Sequence, residues 1–266
     1  MTTKQKYALV TGGTSGIGYE LAKLLAKDGY NLIIVARTQE ELDRTANELN
    51  STYNVEVISL SKDLFERKAA FEVYDFVKAK GLQIDVLVND AGQGEYGEFV
   101  ETNLEREMDI IQLNIISVVA LTKLFLRDMV DRKEGKILNV ASIAGKIPGP
   151  LQSVYHGTKA FVHSFTEAIR SEVKDKGVVV TSLLPGATAT DFFNKAGMQE
   201  AKNVQNGKLS DPSDVALDGY KALMSDDDMV VSGFKNKAQV AMGNIMPDEK
   251  VADMVHKQQA PITEDK

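Results

Sequence analysis

Ser142, Tyr155 and Lys159 are the side chains of this sequence best suited, by type and spacing, to handle a proton. Tyr155 and Lys159 stand four positions apart, a spacing that puts both on one face of a helix. A free phenol titrates near pH ~10, too high for a base at neutral pH. An ammonium one helical turn away favours the phenolate and lowers that value. A phenol tuned in this way can give or take a proton, and a serine hydroxyl can stabilise charge developing on a reacting oxygen. An isolated Tyr-x-x-x-Lys is usually an exposed helical pair, so the reading depends on what positions it. The stretch predicts a strand over Lys136–Ala141 that delivers Ser142, a loop with Gly145, Pro148, Gly149 and Pro150, and a helix opening at Tyr155.

The chain upstream supplies a partner for that proton. An apolar run, Tyr7–Thr11, meets Gly12-Gly13-Thr14-Ser15-Gly16-Ile17-Gly18, then a helical pattern over Tyr19–Lys27 and a second strand, Asn31–Val35. Glycines between strand and helix let a backbone approach a pyrophosphate, and free N–H groups at a helix start attract the anion. The end of the second strand carries Ala36-Arg37-Thr38 where an NAD site would place an acidic residue on the ribose. A guanidinium favours a 2′-phosphate, so NADP (NADPH) is expected over NAD. Helices are predicted over Glu40–Asn50 and Phe65–Lys80, and strands over Val55–Leu60 and Ile84–Val88. Asp63 and Leu64 end the third strand, either against an adenine ring or as a helix cap. Asn89-Asp90-Ala91-Gly92 follows the fourth, small and polar where a ribose could lie.

Leu104–Met129 is the longest helical pattern, apolar nearly all round, which predicts burial in a homodimer or homotetramer interface. Asn114 lies within it, as a structural hydrogen-bonder or as a site residue holding water. Gly177 ends the Tyr155 helix, Val178–Leu184 is a sixth strand closed by Pro185-Gly186, and Ala187–Ser210 reads as a cover over a site. A further helix starts at Asp211-Pro212 and a last strand spans Met229–Ser232. Residues 1–246 form one domain, and 247–266 a tail, helical and then disordered. Strands alternating with helices give α/β architecture with a single doubly wound parallel sheet of Rossmann type. The chain of 266 residues has no Cys, which excludes disulfides and thiolate chemistry and fits a cytoplasmic protein. A net charge of -7 without a basic cluster argues against a nucleic-acid partner. No signal-like segment is seen, and no run approaches the ~20 apolar residues of a membrane span. The three histidines have no metal-like spacing, and no metal is expected.

In order, Thr11-Gly12-x-x-x-Gly16-x-Gly18, Asn89-x-Ala91-Gly92, Asn114, Ser142, Tyr155-x-x-x-Lys159 and Pro185-Gly186 resemble the short-chain dehydrogenase/reductase family in its compact, single-domain form, over about residues 5–235. The resemblance implies a Rossmann-type fold that binds NAD(P) and moves hydride between nicotinamide and a small-molecule carbonyl or alcohol. It makes Tyr155 the acid/base, Lys159 the ribose contact that also lowers the tyrosine pKa, Ser142 the holder of the substrate oxygen, and Asn114 the anchor of a relay water. It assigns the cofactor to Gly12, Thr14, Ser15, Gly16, Ile17, Gly18, Arg37, Asp63, Leu64, Asn89, Ala91, Gly92, Tyr155, Lys159, Pro185, Gly186, Thr188 and Thr190, the last as the carboxamide contact. Two departures stand out: Asp90 where the family commonly has a second Asn, and His156-Gly157-Thr158 where small Ala and Ser are usual. The competing expectations are a nucleotide-sugar epimerase or dehydratase and a non-catalytic dinucleotide sensor. The first usually has a different glycine spacing and a larger C-terminal region, and the second typically lacks the Tyr or Lys. The residues Ile147, Pro148, Leu151, Tyr96, Phe192, Phe193 and Met198 predict an apolar substrate wall.

Overall fold

The computed structural model describes residues 5–243 and 245–262. Seven parallel strands form one sheet, in the order β3-β2-β1-β4-β5-β6-β7. They are β1 (Tyr7–Thr11), β2 (Asn31–Ala36), β3 (Val57–Ser61), β4 (Ile84–Asn89), β5 (Gly135–Val140), β6 (Val178–Leu184) and β7 (Met229–Val231). β1, β2 and β4 carry the apolar runs Tyr7–Val10, Leu32–Ala36 and Val86–Val88, as suits a parallel sheet covered on both faces. Helices α1 (Gly16–Lys27), α2 (Gln39–Tyr53) and α6 (Pro212–Ser225) enclose one core with Leu21, Leu25, Leu42, Leu49 and Leu223. Helices α3 (Ala69–Ala79), α4 (Leu104–Arg132) and α5 (Ser153–Val173) enclose the other with Val73, Leu121, Phe125, Met129 and Ile169. Strand order reverses between β1 and β4, which opens a crevice at the carboxyl ends of the strands. Thr11 pairs with Asn89, and Asn89 with Asn139, so the strand ends that carry the site are level.

Several boundaries differ from the sequence reading. α3 starts at Ala69 rather than Phe65, because the Asp63 carboxylate accepts the Phe65 N–H at 3.1 Å and holds a turn there. α4 is continuous from Leu104 to Arg132, but a π turn over Gln112–Ile116 inserts one extra residue. Ser117 N–H therefore reaches back to Gln112, and the Ser117 hydroxyl takes up the Leu113 carbonyl at 2.5 Å. The insertion breaks the single apolar face: Val118, Phe125 and Met129 are buried, while Leu104 and Met108 are 70% and 57% exposed. By length and composition α4 could cross a membrane, contrary to the expectation that no segment approaches one; 44% of its most apolar window is buried in this fold.

The C-terminal helices are α7 (Phe234–Gly243) and α8 (Asp248–Gln259). The sequence treats α8 as part of a tail, yet it docks on the segment after β6. Lys202 N–H donates to Ala260 (3.1 Å), Ile262 N–H to Glu200 (2.9 Å), and the Tyr96 hydroxyl to the Gln259 carbonyl (2.5 Å). The expected disorder falls on 263–266, outside the described residues.

Candidate active site

Local chemistry builds the glycine loop. Gly12 and Gly16 take φ of +71° and +57°, left-handed values that L side chains rarely adopt. A Cβ on Gly12 would stand 3.1 Å from Ala91 N, and one on Gly18 would stand 2.5 Å from the Asp90 carboxylate. α1 begins with Ser15 extended, no side-chain cap and no acidic residue in its first turn. Its first two N–H groups, of Gly16 and Ile17, are therefore open to an anion. A cleft of about 540 Å³ runs from this loop along the strand ends. Its wall includes Gly12, Thr14, Ser15, Gly16, Ile17, Arg37, Asp63, Leu64, Ala91 and Gly92, then Ser142, Tyr155, Lys159, Pro185, Gly186, Thr188 and Thr190. Thr190 lies across the loop, its methyl 3.0 Å from where a Gly16 Cβ would be. Arg37 is exposed and stacks over Phe65 at 5.4 Å, and Lys62, which the sequence reading missed, lines the same end in an ion pair with Glu72 at 2.5 Å.

At the other end the Lys159 ammonium donates to the Val140 carbonyl at 2.8 Å and lies 5.9 Å from the Tyr155 ring centroid. The Ser142 hydroxyl donates to Pro185 (3.3 Å) and accepts from Ala144 N–H (3.1 Å), which fixes it at the end of β5. Tyr155, beneath Phe192 (ring centroids 4.9 Å apart), is pushed up to about 12. Burial is the main cause, and the Ser142 hydrogen bond pulls it back while the Asp90 charge pushes it further. The lowering expected from Lys159 is not found: the group that lowers this phenol is Ser142, and burial outweighs it. Burial lowers Lys159 to about 8 and raises Asp90 to about 7, each partly offset by the other's charge. The Gly18 N–H also donates to Asp90, so this carboxylate links the glycine loop electrostatically to the Tyr/Lys pair.

Three expected site residues lie behind the cleft wall rather than on it. Gly18 packs on Asp90, as above. Asn89, 3% exposed, turns into the core and donates to Thr122 (3.1 Å) and Asn139 (2.8 Å), whose own amide donates to Thr166 (3.0 Å). This chain ties α4, β4, β5 and α5 beneath the site. Asn114, 1% exposed, accepts from Gln93 N–H (3.1 Å) and donates to the Gln93 carbonyl (2.9 Å) and Thr158 (3.0 Å). It nevertheless sits 3.3 Å from a Gly92 Cβ position, as does Lys159 Nζ.

Other residues on the wall were not legible in the sequence. Of the expected apolar wall, Ile147, Phe192, Phe193 and Met198 line the cleft, joined by His156, Gln152 and Asn236; Tyr96, Pro148 and Leu151 do not. Val255, Gln258 and Gln259 of α8 complete the wall. Glycine at position 94 leaves room for Phe192, Gln152 and Tyr155 to converge: a Cβ would meet them at 3.0, 3.3 and 3.4 Å, a tight fit.

Known proteins share this sequence pattern and fold. The short chain dehydrogenase family model matches residues 6–201. A very-long-chain 3-oxoacyl-CoA reductase of Bos taurus is 38% identical over 194 residues, 70% of this chain and 60% of that protein. The chain thus matches about three fifths of the length of such curated relatives. A short-chain dehydrogenase from Sphingobium yanoikuyae in complex with NADPH superposes with a TM-score of 0.81 at 25% identity, covering 94% of this chain and 99% of the other. A 7beta-hydroxysteroid dehydrogenase shares the fold (TM-score 0.85, 23% identity, 94% and 96% covered). With the glycine loop, the level strand ends and the Ser-Tyr-Lys arrangement all in place, the chain belongs to the short-chain dehydrogenase family.

Proposed function

We propose that this protein is an NADP(H)-dependent oxidoreductase that interconverts a carbonyl and an alcohol. One observation carries the reading: a single cleft joins an anion-ready glycine loop and Arg37 at one end to Ser142, Tyr155 and Lys159 at the other. The residues fit a dinucleotide, since left-handed Gly12 and Gly16 and the uncapped start of α1 form a cradle that side chains would fill. When bound, the cofactor supplies or accepts the hydride. Gly12, Thr14–Ile17 and Thr188–Thr190 would hold it, with Asp63, Leu64, Ala91 and Gly92 along its length and Arg37 at its phosphate end.

Ser142 donates a hydrogen bond to the substrate oxygen, and Tyr155 protonates that oxygen in reduction or takes its proton in oxidation. Lys159 supplies positive charge beside the phenol and a contact for the cofactor ribose. Asn114 holds the backbone at Gln93 and the Thr158 hydroxyl, positioning the helix turn between Tyr155 and Lys159. The presence of both Tyr155 and Lys159 in the cleft favours an enzyme over a dinucleotide sensor. The apolar wall suits a substrate with hydrocarbon around its carbonyl, and the Bos taurus relative is named a very-long-chain 3-oxoacyl-CoA reductase. Exposed Leu104 and Met108 on α4, with Phe161 on α5 (40% exposed), support self-association.

The test is NADPH and NADH oxidation against a carbonyl panel that includes a 3-oxoacyl thioester. NADPH is expected to be preferred, and Arg37→Ala to cut that preference roughly tenfold or more, the scale of one charge-assisted contact. Equal use of both cofactors by the wild type refutes the Arg37 argument.

A further inference from the structure

Two buried amides beside the catalytic tyrosine have hydrogen-bonding atoms with no partner. Gln152 and Gln259 line the cleft, 5% and 6% exposed, with Gln152 Nε2 and Gln259 Oε1 unsatisfied. A buried amide atom left unpaired is destabilising, so a polar ligand group that pairs with either one is favoured.

Their polarity follows from the neighbours. His156 Nδ1 lies 2.9 Å from the Ile147 carbonyl, an acceptor only, so Nδ1 carries the hydrogen. Burial also pushes the His156 pKa down, which keeps the ring neutral and leaves Nε2 as an acceptor. Gln259 Nε2, 3.4 Å away, is then the donor in that contact, and Gln259 Oε1 is the free acceptor. Gln152 is one helical turn before His156 and offers a free N–H. Its Nε2, the edge of Phe192 and the Tyr155 ring all meet around Gly94, so the site adjoins the reacting centre and Phe192 helps cover it.

We infer that Gln152 and Gln259 form a polar subsite for a hydroxyl group on the substrate, in addition to the carbonyl that is reduced. Hydroxyl chemistry suits both atoms, since a hydroxyl oxygen accepts from the Gln152 amide and a hydroxyl hydrogen donates to the Gln259 carbonyl. A plain alkyl ketone satisfies neither. The inference rests on the carbonyl–alcohol reading and narrows its substrate class to hydroxylated carbonyl compounds, with α8 as part of the specificity pocket.

The test compares a hydroxyketone with the ketone of the same skeleton lacking the hydroxyl, in wild type, Gln152→Leu and Gln259→Leu. The wild type is expected to favour the hydroxyketone in kcat/KM by at least tenfold, and each variant to shrink that ratio at least fivefold, mainly through KM. Gln152→Met and Gln259→Met serve if a leucine variant fails to fold. A second readout needs no turnover: with NADP present, the corresponding diol should raise the melting temperature more than the simple alcohol, and the variants should remove the difference. No wild-type preference, or equal loss on both substrates, overturns the subsite. Failure to turn over any carbonyl, with the diol still preferred in the melts, overturns the oxidoreductase reading and leaves the subsite standing.

Discussion

Gly145 gives the sharpest test of how the loop after β5 holds Ser142 against the catalytic helix. A Cβ there would lie 2.6 Å from the Lys159 carbonyl carbon and oxygen and 2.8 Å from Ala160 N. These are backbone atoms inside α5, so no rotamer change relieves the clash. To reach ordinary contact beyond 3.4 Å, the loop must retreat by ~0.8 Å from the helix turn that carries Lys159. Gly145 N–H donates to the Ser142 carbonyl at 3.0 Å, so the retreat is passed to the serine. Overpacking of this kind costs about 1–3 kcal/mol, and a misplacement near 1 Å can cost ~100-fold in rate. Gly145→Ala is therefore expected to melt several degrees lower and to lose roughly ten- to a hundredfold in kcat, with a smaller change in cofactor KM. Gly157→Ala is the control, two residues past Tyr155 on the same helix, exposed and with nothing within 4 Å of its Cβ. It is expected to gain about 0.5–1 kcal/mol from helix propensity and to keep its activity. Thermal melts and initial rates on both variants decide the matter. Wild-type stability and kcat in Gly145→Ala would show that the loop does not depend on this close approach.

Three further outcomes follow from the site and the surface. Tyr155→Phe should lose at least a thousandfold in turnover while NADPH affinity stays within a few fold by titration; retained turnover would remove the acid/base assignment. Asp90→Asn keeps an acceptor for Gly18 and removes a negative charge that raises Tyr155, so the rising, low-pH limb of alcohol oxidation should move to lower pH. The raised Asp90 pKa also implies stability that is full below its ordinary value of 3.8 and is lost as pH rises through about 7. The Asn variant should lack that slope in melts taken from pH ~4 to ~7. Leu104→Glu with Met108→Glu, at positions 70% and 57% exposed, should lower the sedimentation mass if α4 joins copies of the chain, and an unchanged mass speaks against that face.

What was legible in the sequence was local. Glycines between a strand and a helix, apolar runs of strand length and a Tyr/Lys pair one turn apart have the same meaning wherever they occur, so the sheet and the catalytic end follow from them. What escaped depends on contacts between distant segments. Asn89 looks like a cofactor contact because it follows a strand, yet its amide pairs with Asn139 and Thr122 in the core. Phe192 looks like one wall residue among several, but its packing on Tyr155 contributes to the burial that keeps that phenol protonated. The polar sequence of α8 hides a docked helix, because backbone bonds from Lys202 and Ile262 anchor the segment around it. Asp90 is visible as a departure, but its reach to Gly18 and Lys159 is known only once the strand ends are level.

The extra residue in the π turn of α4 also sets the phase of that helix. Removing one residue between Gln112 and Ile116 would restore regular α winding at no cost in backbone hydrogen bonds, and would swing everything upstream by ~100° about the helix axis. The half after the turn is fixed by Leu121, Phe125 and Met129 in the core, so the first half would rotate. Leu104 and Met108 would then point elsewhere, and Asn114, itself within the turn, would lose its alignment with Gln93 and Thr158. The bulge thus works as a phase joint, letting one helix serve a core, an outer face and an active site whose angular demands no uniform winding meets.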